Sequence, residues 1–297
     1  MKRGWITWDQ TELPRAAFDA RLAAARKHLA ERDLPALVVY TDIWRSNRVR
    51  HFSNFMPYWN RALLVIPREE KPALLCGLSP RVYPWIKSVT ILEDILPSPN
   101  LAQRLAQLCT EKGWSRVGAL EFSRFPQDLQ TPLTSLAVDV SLPLEPDEWE
   151  LSMHRRAAKM AREGLAAEMT GAVGQTDHAF TGRLERQFRR AGAEDLILLL
   201  TNGKTPPAPP RGEILEPGFS VSAALEYRGH WAKIVRNPVG PAHSLPPAAY
   251  RETLAGPYPY ESGHATLFAA RWESVWNGRR LFHGDTYLQT AAGAELL

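Results

Sequence analysis

The chain has 297 residues and a mass of 33.4 kDa, which is long for one ordinary domain and natural for two. Hydrophobic residues make up 44% and charged residues 23%, and the net charge of +4 is spread along the chain, which excludes a disordered chain and a dense nucleic-acid-binding stripe. We expect no membrane partner, because no stretch approaches the ~18 apolar residues of a span.

The first half of the chain alternates helical patterns with short apolar runs. Residues 14–34 carry apolar side chains at spacings of three and four, which predicts an amphipathic helix, and residues 100–112 predict another. Short apolar runs predict strands at residues 36–40, 61–66, 72–76, 88–92 and 116–121. This alternation is typical of an α/β domain, which we place at residues 1–142.

The second half, residues 143–297, predicts an α+β domain. A long helix begins near Asp147 and runs to about Met169, and Thr176 or Asp177 caps a second helix that ends before Gly192. Strands are predicted at residues 196–200, 219–224, 230–235, 265–272 and 285–290. Residues 237–262 hold six prolines and show no convincing periodicity.

The order of these segments resembles the creatinase, aminopeptidase P and methionine aminopeptidase family, the pita-bread metallohydrolases. Residues 21–40, 49–55 and 62–67 resemble its creatinase-type N-terminal domain, and the Gly-Gln-Thr-Asp turn at residues 174–177 resembles its Gly-x-Thr-Glu turn. Residues 148–159, 215–218 and 284–297 resemble the opening helix, a turn and the closing strand of the pita-bread domain. The resemblance implies a creatinase-like N-terminal domain followed by a truncated pita-bread domain.

Members of that family hold two divalent ions with two Asp, one His and two Glu, and the ions activate a water molecule. Aligned on residues 227–236, the two Asp positions carry Ser222 and Lys233, and one Glu position carries Gly284. The other Glu position falls near residues 267–271, which contain no acid, and the shortened segment 237–262 has no His-Gly-x-Gly-His motif. The resemblance therefore implies a degenerate member with no metal cofactor.

Two other readings of the same half of the chain stay open. Lys233 is a candidate catalytic base or nucleophile, because burial lowers the pKa of a lysine, or it replaces the lost metal charge in a salt bridge with Glu226 or Asp285. A rebuilt metal site would have to use scattered side chains that lack ligand spacing. These are His230, His243, His264 and His283 with Glu226, Glu261 and Asp285.

Arginine and aromatic residues are concentrated after the first predicted strand. Arg45, Arg48, Arg50 and Trp59 belong either to a solvated loop or to a surface that binds substrate or a partner's site. The second reading comes from the resemblance, because this part of creatinase-like proteins reaches toward the neighbouring subunit's active site. Arginine suits such a role since its guanidinium binds carboxylates in a bidentate fashion.

Three functions remain in view. The leading one is a non-catalytic pita-bread paralogue in the cytoplasm, which forms a homo- or hetero-oligomer with a subunit of the family and contributes N-terminal residues to that subunit's site. The second is a metal-independent hydrolase of a small amide, amidine or peptide substrate, centred on Lys233. The third is a module that binds a small molecule or peptide in the emptied cavity. The shortened segment 237–262 is expected to leave an apolar surface for the oligomer contact.

Overall fold

A computed structural model describes residues 7–142, 146–239, 245–246, 248–254 and 266–297. The chain divides into two compact units, residues 2–144 and 145–297. The boundary that the sequence predicts after residue 142 lies beside this division. Among the described residues each unit has its own sheet, of six strands in the first and seven in the second, so the mixed α/β and α+β fold class is confirmed.

The N-terminal unit combines one sheet with helices that lie between its strands in the sequence. Its strands lie in the order β4-β3-β2-β1-β5-β6, with β1 parallel to β5 and antiparallel to β2. The strand β1 is buried along almost its whole length. The elements are α1 (Arg15–Glu31), β1 (Ala36–Asp42), α2 (Asn47–Ser53), β2 (Arg61–Pro67), β3 (Ala73–Cys76), α3 (Tyr83–Val89), β4 (Asp94–Pro97), α4 (Leu101–Lys112), β5 (Val117–Leu120), α5 (Gln127–Leu133) and β6 (Ala137–Val140).

The strand predicted at residues 88–92 is wrong, because Ser88 and Val89 form the end of α3. Pro84 stands in the first turn of that helix, where a missing N–H costs nothing, and Ile86 and Val89 are buried three residues apart. The strand of this region is β4, which begins at Asp94. The helical spacing of these two buried residues, rather than the strand propensity of β-branched side chains, determines the local structure.

The C-terminal unit is an antiparallel sheet in the order β10-β11-β12-β9-β8-β7, with β13 paired to β12. Helix α6 packs against β8 and β9. Among the described residues, no helix combines the length and hydropathy that a membrane span needs. The elements are α6 (Glu148–Met169), α7 (Asp177–Ala191), β7 (Asp195–Thr201), β8 (Ser220–Tyr227), β9 (His230–Arg236), β10 (Tyr250–Thr253), β11 (Leu267–Trp276), β12 (Arg279–Thr290) and β13 (Gly293–Leu296).

Both helix starts follow the predicted capping chemistry. The Asp147 side chain accepts from the backbone N–H of Glu150, and the Thr176 side chain accepts from that of Ala179. Thr176 is therefore the cap of α7, and Asp177 is the first helical residue. The Asp177 carboxylate instead accepts the backbone N–H groups of Arg211 and Gly212, at 2.8 Å each.

The last two predicted strands are too short, because they join into one long hairpin. β11 runs to Trp276 and β12 starts at Arg279. The two-residue turn between them is Asn277-Gly278, with φ of 47° and 74°. An Asn-Gly pair adopts such positive φ values readily, and it is the commonest hairpin turn between strands. The strand β10 lies within the segment where the sequence predicts no regular element.

Candidate functional site

The former ligand positions of the resemblance lie on neighbouring strands and on one face of the second sheet. Ser222 on β8 pairs with Val235 on β9, and Val235 pairs with Gly284 on β12. Gly284 pairs in turn with Arg271 on β11. Lys233 lies two residues before Val235 and therefore points to the same face, since side chains alternate along a strand. The structure thus brings together Ser222, Lys233 and Gly284, and adds Arg271.

Lys233 forms a buried ion pair with Glu252 of β10. Its Nζ lies 2.8 Å from Glu252 Oε1, and the two residues are 7% and 2% exposed. The partner Oε2 accepts from Arg271 Nη2 at 3.1 Å, so one carboxylate bridges two cations. Burial lowers the pKa of Lys233, and the bond to Glu252 opposes that shift. We call these three residues the Glu252 cluster.

The strand register explains how Lys233 reaches a residue three strands away. Ala269 of β11 pairs with both Glu252 and Thr286, and the Thr286 hydroxyl bonds to the backbone N–H and C=O of Lys233. Lys233 and Glu252 therefore extend toward each other over two small, fully buried side chains. The long ammonium and carboxylate side chains span the gap that Thr286 and Ala269 leave.

The predicted partners of Lys233, Glu226 and Asp285, are wrong. Asp285 follows Gly284 on β12, so its side chain points to the opposite face of the sheet. Glu226 is fully buried on β8, where it pairs with Trp231, and the ammonium of Lys233 bonds to Glu252 instead. The sequence misses Glu252 because it lies in the proline-rich segment without periodicity.

Gly284 has no room for a side chain. A Cβ atom at this position would lie 2.8 Å from the Ala270 carbonyl oxygen and 2.9 Å from Val235 Cγ2. Contacts this close are essentially never seen for real Cβ atoms, and one of the neighbours is backbone, which yields little. A glutamate at residue 284 therefore requires the strands themselves to move apart.

The residues present do not fit a dinuclear metal centre. The Glu252 cluster surrounds one carboxylate with two cations, whereas divalent ions need several anionic or neutral donors and are repelled by an ammonium group. Within the part of the chain that the structure describes, no group of three or more His, Cys, Asp or Glu side chains is placed to hold a metal ion.

The described members of the scattered histidine set do not assemble a metal site either. His283 Nε2 lies 2.8 Å from Ser274 Oγ, and its ring stacks on Trp272. His230 Nε2 lies 3.5 Å from Glu150 Oε1, on the face that α6 covers. His243, Glu261 and His264 fall outside the described residues.

The opposite face of the sheet holds a second bridging carboxylate, Asp285, which is 1% exposed. Arg162 of α6 contacts its Oδ1 through Nη1 at 3.0 Å, and Arg236 of β9 contacts its Oδ2 through Nη2. Arg236 also donates through Nη1 to the carbonyl oxygens of Val235 and Gly284, at 2.9 and 2.7 Å. We call these three residues the Asp285 cluster, and it joins α6 to the sheet.

His154 of α6 is a further buried polar group on this face. Its Nδ1 lies 2.8 Å from the Trp231 carbonyl oxygen, and its ring meets that of His230 edge to face at 4.9 Å. Burial, with the nearby His230, lowers the pKa of His154 from 6.5 to about 3. The imidazole is therefore neutral at physiological pH and acts as a hydrogen-bond donor to the sheet.

In the N-terminal unit, the predicted Arg-aromatic residues divide into exposed and buried ones. Arg45 Nε lies 3.2 Å from Asp42 Oδ2, and Arg48 Nη2 lies 2.7 Å from Glu121 Oε1. Trp59 is 70% exposed. Arg50 is 5% exposed, with Nη1 3.6 Å from the Met56 sulfur. This burial argues against Arg50 as a partner-facing residue.

No protein-family model matches the chain, and no curated protein matches it by sequence. Solved structures match it well. The X-Pro aminopeptidase from Thermotoga maritima MSB8 has a TM-score of 0.70 at 13% identity, covering 93% of this chain and 96% of that one. The prolidase from Pyrococcus furiosus has a TM-score of 0.68 at 13% identity, with 93% and 98% covered.

The Xaa-Pro dipeptidase from Bacillus anthracis has a TM-score of 0.66 at 15% identity, covering 94% of this chain and 97% of that one. These three matches each extend over nearly the whole chain, so they include both units. They confirm the fold that the resemblance implies. The chain has the pita-bread fold, with a preceding α/β domain, that is shared by prolidases, Xaa-Pro dipeptidases and aminopeptidase P.

Proposed function

We propose that this protein is a non-catalytic relative of Xaa-Pro peptidases, which pairs with an active homologous subunit and contributes N-terminal residues to that subunit's site. The observation that carries the proposal is the Glu252 cluster. Lys233 and Arg271 stand among the positions where the resemblance expects metal-binding carboxylates, and their charges are directed at Glu252. The family's hydrolysis depends on a metal-activated water, which this arrangement does not support.

The exposed arginines support the second part of the proposal. The side chains of Arg45 and Arg48 are 50% and 39% exposed, and each is paired with an acid of its own unit. Exposed ion pairs contribute only about 0–1 kcal/mol, so a substrate carboxylate can displace them at little cost. We expect Arg45, Arg48 and Trp59 to bind an anionic or planar substrate group in the assembled complex, and not to break bonds.

The experiment is co-purification with an active relative, followed by hydrolysis of an Xaa-Pro dipeptide. Arg45→Ala and Arg48→Ala should each weaken activity about tenfold to hundredfold, because one charged hydrogen bond contributes about 1.5–3 kcal/mol. The complex should remain assembled by sedimentation. Arg116→Ala, an exposed arginine of the same unit, is the matched control and should be silent.

Failure to associate with any active relative contradicts the pairing, as does an effect of Arg48→Ala no larger than that of Arg116→Ala.

One observation favours a second function, a metal-independent hydrolase: Lys233 is buried with a lowered pKa, a property of lysine bases and nucleophiles. Under that alternative the chain alone hydrolyses a small amide, amidine or peptide, and Lys233→Ala abolishes the activity. Under the leading proposal the chain alone is inactive.

A cytoplasmic location belongs to the same proposal. Cys76 and Cys109 are buried free thiols, and burial raises the pKa of each to about 11. Such thiols are protonated and unreactive at neutral pH, which suits a reducing compartment. Fractionation of cells that express the full chain tests this, and recovery outside the cytoplasm contradicts it.

A further inference from the structure

An open cavity of about 430 Å³ lies where the C-terminal end of α6 meets the end of β9. It is on the Asp285 face of the sheet, opposite the Glu252 cluster, and all of its described lining residues belong to the C-terminal unit. Arg162 and Arg236 form its charged side, and Ala166, Met169, Val173 and Pro238 form its apolar side. A cavity of this size is at the lower end of the range for small-molecule sites.

The charged side carries one positive charge more than its buried acid neutralises. Arg162 and Arg236 share the single carboxylate of Asp285, so the cluster has a net charge of +1. Their side chains remain 28% and 18% exposed, which leaves their guanidinium groups within reach of a ligand in the cavity. The buried carboxylate holds both arginines in place before any ligand arrives, which lowers the entropy lost on binding.

Arg162 has a free binding edge. Only its Nη1 is engaged, by Asp285, and Nε and Nη2 have no hydrogen-bond partner among the described residues. These two nitrogens present parallel N–H bonds, which is the fork that binds both oxygens of a carboxylate. The Asp285 cluster therefore links α6 to the sheet and still has hydrogen-bond donors left for a ligand.

We propose that this cavity binds a small organic monoanion, a carboxylate with an apolar body. The carboxylate binds the free edge of Arg162, and the body packs on Ala166, Met169 and Val173. A single negative charge matches the net charge of the cluster, and a metal cation is repelled by it. The apolar side distinguishes such a ligand from inorganic phosphate, which gains nothing from Met169 and Val173.

The test uses isocaproate as the probe and isocaproamide as its neutral match, titrated against the full chain and followed by NMR. Isocaproate should bind in the millimolar range or tighter, and the amide at least about tenfold more weakly, because it lacks the charged hydrogen bonds. Inorganic phosphate is the third arm. Equal binding of acid and amide, tighter binding of phosphate than of isocaproate, or no binding of isocaproate at all overturns the proposal.

A negative charge introduced at the cavity wall tests where the ligand binds. Val173 is 44% exposed, so its replacement leaves the Asp285 cluster intact. Val173→Asp should cancel the net charge and weaken isocaproate binding about tenfold, whereas Val173→Asn should have a much smaller effect. Arg162→Lys keeps a cation for Asp285 and removes the fork, and should also weaken binding. Thermal melting verifies that each variant is folded, and equal affinities of the Asp and Asn variants contradict the location.

Discussion

The two faces of the C-terminal sheet each hold a buried carboxylate that bridges two cations, and they use it differently. On one face Glu252 binds Lys233 and Arg271 of its own sheet. On the other face Asp285 binds Arg236 of the sheet and Arg162 of the packed helix. Each cluster has a net charge of +1, so charge alone does not distinguish them.

Burial of one cation makes the difference. The Lys233 side chain is 8% exposed, whereas those of Arg162 and Arg236 are 28% and 18% exposed. Arg271, the second cation of the Glu252 cluster, is 47% exposed. The Glu252 cluster thus encloses an ammonium group within the face where the resemblance places a metal centre. The Asp285 cluster joins two elements and leaves guanidinium groups open to a cavity. We call the face with the buried ammonium group of Lys233 the closed face, and the face with the cavity beside Arg162 and Arg236 the open face.

The largest expected effect comes from removing the carboxylate on the closed face. Glu252→Gln leaves the buried ammonium of Lys233 without its charge partner, and we expect a loss of about 3–5 kcal/mol in the free energy of unfolding. The double variant Lys233→Met, Glu252→Gln should recover most of this loss, because no buried charge remains. Urea denaturation of the wild type, both single variants and the double variant measures the coupling.

The pH dependence of this loss has a definite sign. The pKa of Lys233 is already lowered by burial, and losing Glu252 lowers it further. Between the lowered folded-state pKa and the unfolded-state pKa of Lys233, the unfolded state of Glu252→Gln binds one proton more than the folded state. The stability of this variant therefore rises with pH in that window. A deficit that is constant with pH, or a double variant no more stable than Glu252→Gln, contradicts a buried charged pair.

A smaller effect is expected on the open face. Asp285→Asn removes the negative charge that Arg162 and Arg236 share. Both arginine side chains keep contact with water, and the amide can still accept a hydrogen bond. We expect a loss of about 1–3 kcal/mol in the free energy of unfolding, because the hydrogen bonds from both arginines weaken but no fully enclosed cation is left. The measurement is the same urea denaturation. A loss larger than that of Glu252→Gln reverses the comparison between the faces.

Much of this arrangement follows from local sequence, and the rest depends on distant pairing. The resemblance places Ser222, Lys233 and Gly284 at former ligand positions, and the strands predicted at residues 219–224 and 230–235 carry the first two. Glu252 is missed because four residues of strand in a proline-rich segment carry too little periodicity to identify.

The contact between Arg162 and Asp285 joins residues 123 apart, on a helix and a strand that are each predicted separately. No local pattern specifies such a contact. The Asn277-Gly278 turn is different, because its dipeptide is a strong hairpin indicator that the sequence offers directly. The long-range ion pairs therefore could be found only from the structure. The turn between β11 and β12 could have been recognised from the sequence.

The smallest expected effect concerns His154, which joins α6 to the sheet on the open face without a charge. Its pKa in the folded protein is about 3, below the ordinary value of 6.5, so between these pH values the unfolded state binds more protons. Its contribution to stability is therefore present above pH 6.5 and is lost as the pH falls toward about 3.

His154→Gln keeps a donor for the Trp231 carbonyl but does not titrate. The stability difference between wild type and variant should shift against the wild type by at most about 1.4 kcal/mol per pH unit below about pH 6. Urea denaturation at about pH 7 and about pH 5 measures it. An unchanged difference means that the His154 imidazole titrates equally in both states.

We propose that Lys233, Glu252 and Arg271 occupy the face where the resemblance expects a metal centre. Elemental analysis tests it most directly, on the chain alone, purified after expression in medium supplemented with manganese, cobalt, zinc and iron. An active Xaa-Pro peptidase prepared in parallel shows that the procedure retains bound metal. We predict well under one equivalent of any of these metals per chain, and two equivalents per chain would contradict the proposal.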